Sequence, residues 1–173
     1  MNRPRIKITE DMLQAAQALV EETRVRRTIS SPFDTLAGHL GEFVVAQYLY
    51  GDWHQHQVGK NKGKVDFVEE DIEVKTSAFP FRENLNLLVR EDYASKRSPS
   101  YYIQVIIDIE SRDQKRINPG RDAVICGWAD SPQVHSAPIR DMGSKFGGRG
   151  GYRCHAIPIR KLNDIASIPL KEI

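Results

Sequence analysis

The sequence predicts an α/β domain, a mixed central β-sheet flanked by helices. Three observations predict it. Two segments with helical period open the chain. After Gly51 the hydrophobic period switches to alternation. One run, Tyr101 to Ile109 (YYIQVIIDI), is apolar on both faces, as a central strand is. The 173 residues suit one domain with a full core. The expected organisation is a single domain over 1–173, with an N-terminal helix within 1–30, a core over 34–129, and a C-terminal extension over 130–173 carrying a Gly-rich loop and an edge strand.

The elements follow in order. Met12, Ala15, Ala16, Leu19 and Val20 repeat at helical spacing and predict a first helix from Thr9 to Arg27, with Arg24, Arg26 and Arg27 near its C-terminal end. Ser30-Ser31-Pro32 interrupts, and Pro32 or Asp34 starts a second helix that runs to Tyr50 and stops at Gly51. Trp53 to Val58 reads as a strand and Gly59 to Lys64 as a loop. Val65 to Val68 and Ile72 to Thr76 read as a hairpin, and Leu85 to Val89 as a weaker strand. Ala123 to Ala129 is a further strand. Ser131 to Met142 holds a short helix, cut by Pro138. Tyr152 to Ile159 is a last strand, assigned to an edge because of Pro158.

Composition excludes collagen-like, disordered and disulfide-scaffold classes, with 40% hydrophobic and 28% charged residues. No apolar run approaches the roughly 18 residues of a membrane span. The basic N-terminus has no apolar stretch behind it, so no export signal is expected. Cys126 and Cys154 lack partners at metal-ligand spacing and read as thiols in a reducing cytoplasm. The 25 Lys and Arg against 23 Asp and Glu leave a net charge of +2, so any nucleic-acid argument rests on local clustering.

From Thr35 to Tyr50 the only formally charged residue is Glu42, among Gly38, Val45, Ala46 and Leu49. A helix apolar nearly all round is buried, and a buried carboxylate must be paired or metal-bound. The alternative is a glutamate at the helix edge, reaching solvent. Downstream, Glu73 and Lys75 share one face of their strand, roughly 7 Å apart. If the hairpin turns through Glu69-Glu70, facing residue numbers sum to 139 and Asp66 lies opposite Glu73. Facing carboxylates destabilise a sheet unless a divalent cation sits between them. A three-residue turn shifts this register, and the alternative reading of the face is a solvated one with a Glu73–Lys75 ion pair. Lys75 could stabilise charge on a transferring phosphoryl group or help orient water.

"GEFVVAQYL", "KVDFV" and "IEVKTS" together resemble the helix and motif-bearing hairpin of the PD-(D/E)XK nuclease superfamily, the restriction-endonuclease-like fold. Val65 stands where the family's name has Pro. The resemblance implies that Asp66, Glu73 and the Val74 carbonyl bind Mg²⁺, with Mn²⁺ able to substitute. It further implies that Lys75 assists catalysis and that Glu42 joins the metal or water network. The implied activity is metal-dependent hydrolysis of DNA phosphodiesters, by an endonuclease. An exonuclease, junction resolvase or RNase on the same core, or a catalytically silent nucleic-acid-binding module, are the alternatives. A homodimer is expected if both strands are cut.

Basic residues cluster in the loops. Lys60, Lys62 and Lys64 precede Asp66, Lys96 and Arg97 precede the central strand, and Arg112, Lys115, Arg116 and Arg121 follow it. Lys145, Arg149 and Arg153 lie in or beside the Gly-rich segment. These are candidate phosphate contacts. His54 and His56, at i and i+2, read as surface histidines on one strand face.

Overall fold

The structure is a computed structural model, and it describes residues 2–23, 31–58, 65–96, 98–143 and 152–170. Strand β1 (Arg5–Lys7) leads into helix α1 (Glu10–Thr23). Helix α2 (Pro32–Tyr50) starts where the Ser31 side chain accepts from the Asp34 N–H, and ends at Gly51 in the left-handed region (φ 74°), whose N–H donates to the Gln47 carbonyl. Strand β2 (Ile72–Phe79), strand β3 (Asn86–Arg90) and the short helix α3 (Glu91–Lys96) follow. Then come β4 (Tyr101–Asp108), β5 (Asp122–Asp130), α4 (Ser131–Ser136), β6 (Ile139–Asp141) and β7 (Arg153–Pro158).

The α/β class holds, with two sheets rather than one. The larger has the order β1-β5-β4-β2, and β2 pairs parallel to β4 while the other neighbours are antiparallel. The smaller has the order β3-β7-β6. The YYIQVIIDI run is central as its composition requires, because it pairs on both edges and is covered on both faces. One face buries Ile103, Val105 and Ile107 with Ile72, Val74, Ala78 and the apolar sides of α1 and α2. The other buries Tyr102 and Ile106 with Leu87, Val89, Val124, Val134 and Ile159. At roughly 1.5–3 kcal/mol for each fully buried large apolar side chain, these two layers dominate the stability. They leave β2 as an outer strand of the larger sheet, which is where the site lies.

Several elements differ from the sequence expectation. Trp53 to Val58 is not a strand: Trp53–Gln55 is a 3₁₀ turn, capped by Asp52 accepting from the His54 N–H. Trp53 is held by its ring against Phe43, with centroids 4.6 Å apart, and by its backbone N–H donating to Gln47 Oε1 at 3.3 Å. Tertiary packing here overrides the β-propensity of the segment. Val65 to Val68 shrinks to a single antiparallel bridge between Phe67 and Ile72. The last strand is not an edge. It is the middle of the smaller sheet, with Pro158 tolerated because it occupies the final rung opposite Asn86. β1 was not anticipated, because Arg-Ile-Lys offers one apolar residue in three. Its pairing with β5 is helped by Lys7 and Arg5 beside Asp122, at 3.1 and 3.6 Å.

Candidate functional site

The site is built where α2 lies against β2. Gly41 makes this approach possible: a Cβ added there would lie 1.8 Å from Thr76 Oγ1 and 2.8 Å from Thr76 Cβ. Only a bare glycine lets the helix seat this deeply, and the next residue, Glu42, is thereby pressed against the chain entering β2. The turn over 68–71 is pinned to the end of α2 by Tyr50, whose hydroxyl donates to Glu70. Burial and that bond raise the Tyr50 phenol above its ordinary range. Asp71 completes the turn in the left-handed region (φ 58°). Its carboxylate accepts from the Ser100 N–H at 3.0 Å and the Ser100 hydroxyl at 2.7 Å, tying the starts of β2 and β4 together.

Phe67 and Ile72 exchange both backbone hydrogen bonds, at 2.9 and 3.0 Å, and their numbers sum to 139. The pairing stops at that bridge, so Asp66 is not paired across a ladder with Glu73, contrary to the hairpin expectation. Asp66 lies in a bend, and its Oδ2 accepts from the Val74 N–H at 2.8 Å. Amide and carbonyl of one strand residue leave the same edge. The Asp66 carboxylate and the Val74 carbonyl therefore share the outer edge of β2.

On the α2 side of that edge, Glu42 Oε1 lies 2.8 Å from His56 Nε2, and the two side chains are only 12% and 9% exposed. The His56 ring stacks on Phe67, with centroids 3.9 Å apart and planes 9° apart. Burial pushes the Glu42 carboxyl up to about 9, and the Asp66 carboxylate adds to the shift. Burial lowers His56 as well, against the pull of Asp66 and Glu70. Both shifts disfavour separated charges, so the neutral pair dominates, a protonated Glu42 donating to a neutral His56. His39, one turn earlier on α2, is lowered by burial, against the pull of Asp66, and its buried Nε2 has no hydrogen-bond partner among the described residues.

This pair makes stability depend on pH with a definite sign. Glu42 binds its proton more tightly in the fold than at its ordinary value of 4.5. The folded state thus holds the extra proton between those values, and stability falls as pH rises from about 4.5 through about 9. Glu42→Gln removes this loss and leaves the His56 term, which acts on the acid side. Without metal, the variant's stability relative to the parent should grow between about pH 6 and pH 8.5, read by denaturant unfolding. A difference that stays flat would mean Glu42 is ionised in the fold.

Glu73 and Lys75 occupy the other face of β2. With Val89, Tyr93, Pro99 and Tyr102 they line a cavity of about 240 Å³. Glu73 is registered against Tyr102 of β4. Burial raises the Tyr102 phenol, and the Glu73 charge adds to the shift. The structure thus groups Glu42, His56, His39 and Asp66 at the edge beneath α2, and Glu73 with Lys75 one residue away on the cavity side. Val74 joins the two groups through its backbone.

The candidate cations sort differently. Lys60, Lys62, Lys64, Arg97, Lys145 and Arg149 lie outside the described residues, as does the side chain of Lys96. Arg112 opens a 3₁₀ turn, Arg112–Gln114. It donates to the Ala78 carbonyl and Asp34 Oδ1, each at 3.2 Å, and stacks between Phe33 and Phe79. Arg121 donates to the Asp108 carbonyl at 2.7 Å. His54 and His56 do not share a face, since the 3₁₀ turn sends His54 to solvent beside Asp52 and His56 inward. His39 was missed by the sequence reading, although its spacing of i, i+3 from Glu42 places both on one side of α2.

No protein-family model, curated protein or solved structure matches the chain. Among the described residues no three His, Cys, Asp or Glu side chains converge to hold a metal ion, and no helix is long and apolar enough to cross a membrane. The donors at the start of β2 are two carboxylates, Asp66 and Glu73, and the Val74 carbonyl. All are hard oxygens, which fits Mg²⁺, an ion that keeps several waters and takes few protein ligands.

Proposed function

We propose that the protein is a Mg²⁺-dependent deoxyribonuclease that cuts DNA phosphodiester bonds internally, with Mn²⁺ able to substitute. One observation carries the reading. The Asp66 carboxylate is fixed on the Val74 amide, at the outer edge of the same strand that presents Glu73 and Lys75 to an open cavity. Asp66, Glu73 and the Val74 carbonyl would hold the ion. When bound it would neutralise the phosphate and lower the pKa of a water.

The chain's own groups supply the rest. The Lys75 ammonium faces the cavity, where it can stabilise charge developing on a phosphoryl oxygen. Glu42, held by His56, sets the charge next to Asp66. The neutral pair adds no repulsion when a phosphate approaches, and it leaves a proton-holding group beside the reaction. One such site cuts one strand, so cleavage of both strands calls for a second copy, and a homodimer belongs to this reading. The buried, reduced Cys126 and Cys154 suit a cytoplasmic setting.

The test is cleavage of supercoiled, linear and branched DNA, and of RNA, with Mg²⁺, Mn²⁺ or chelator. Nicking of closed circles with metal and none with chelator is expected. Asp66→Asn and Glu73→Gln should each lower it by about 10²-fold or more. Metal-independent binding of DNA, with no cleavage and no site-specific Mn²⁺ affinity, would make the protein a binding module instead.

A further inference from the structure

The cavity beside Glu73 and Lys75 is more than an opening to a backbone phosphate. Its remaining walls are Val89, Tyr93, Pro99 and Tyr102, two of them aromatic. A site that only held phosphates would gain nothing from such walls, since phosphate contacts are made by cations, hydroxyls and amides. At about 240 Å³ it falls below the roughly 300–1,000 Å³ of drug-sized ligand sites and suits a single planar base.

Tyr93 is the outstanding residue. It is 41% exposed, and among the described residues it is the aromatic one of the exposed large hydrophobic side chains, beside Val68 and Ile139. Exposed as it is, its ring has a fixed setting. The Arg90 guanidinium lies 4.7 Å from the Tyr93 centroid and 5.2 Å from that of Tyr152. Asp92 grips Arg90 in turn, through Nε at 3.1 Å and Nη2 at 3.0 Å. Tyr93 is thus a braced aromatic surface, which loses little freedom when a ring stacks on it.

Resting on the nuclease reading, we propose that the substrate is DNA with an unpaired base next to the phosphate to be cut, and that Tyr93 determines this specificity by stacking the base in the cavity. A base inside a duplex is stacked on its neighbours and cannot enter. A base in a single strand, a bulge or a mismatch enters at little cost. Lys75 on the same wall places the adjoining phosphate at the proposed catalytic groups.

The test is equilibrium binding in chelator, so that no cleavage is needed, using labelled DNA as single strand, perfect duplex and duplex with one bulged base. The wild-type protein should favour the single strand and the bulge over the duplex. Tyr93→Ala should reduce that preference by about 5- to 100-fold, and Tyr93→Trp should restore it. An abasic nucleotide in place of the bulged base should have the same effect on the unaltered protein, which tests the idea without any substitution. Equal loss on all three DNAs, or no loss, overturns the proposal. Metal-dependent cleavage that ignores Tyr93 would do so while sparing the nuclease reading. Tyr93-dependent preference without any cleavage would do the reverse.

Discussion

Lys75→Ala is expected to lower the DNA cleavage rate at saturating substrate by about 10²-fold or more, with DNA affinity changed only about twofold. The asymmetry follows from position. Lys75 lies two residues after Glu73 on the same face of β2, at the cavity wall. Its charge is therefore best used where negative charge grows during the reaction. Lys62, in the basic segment before Asp66, has the opposite expectation. Lys62→Ala should weaken binding and reduce the salt slope by about one, with a nearly normal saturated rate. Lys75→Arg keeps the charge but changes its shape and reach, so partial recovery would point to charge and no recovery to geometry. Equal loss of affinity in both alanine variants, with the saturated rate unchanged, would reduce Lys75 to a phosphate anchor.

Gly41→Ala is expected to destabilise the protein by about 3 kcal/mol or more, above the usual cost of overpacking. Two effects oppose each other. Alanine is the better helix former, by about 1 kcal/mol. Its Cβ would also occupy the place of Thr76 Oγ1, 1.8 Å away, which no rotamer of alanine relieves. Thr76→Ala removes Oγ1 and Cγ2 but keeps the Cβ at 2.8 Å, so the double variant should recover only part of the loss. Denaturant midpoints of the two single variants and the double complete the cycle. A single variant within about 0.5 kcal/mol of the parent would show that α2 and β2 do not approach this closely. Since Glu42 follows Gly41, the same substitution should also disturb the Glu42–His56 pair.

Much of the fold is visible in local pattern because the pattern has a local cause. The bounds of α2 follow from Ser31, Pro32 and Gly51, each acting within one turn of its own position. The central place of β4 follows from a run with no polar face to give to water. Val65 to Val68 and Trp53 to Val58 depart from the strand expectation for one reason. Their alternation is compatible with a strand, but a strand needs a partner along its length. Phe67 pairs with Ile72 and the ladder ends. Trp53 instead packs on Phe43, and no alternation of residues forecasts that.

The α/β class, the two long helices, the strand that carries Glu73 and Lys75, and the anomaly of one acid in an apolar helix are all legible in the chain. These depend on residue type and spacing, which the chain carries in one dimension. Packing sets the rest: β2 becomes an outer strand, Asp66 reaches around its edge to the Val74 amide, and Glu42 is partnered by His56. Packing likewise lets Arg112 brace α2 against β2 and stands Tyr93 beside Lys75. The physical reason is range. Capping and periodicity act over a few residues, whereas these contacts join segments 8 to 78 residues apart. Their partners are chosen by the packing of whole elements, and here that choice turns on a close approach only Gly41 permits.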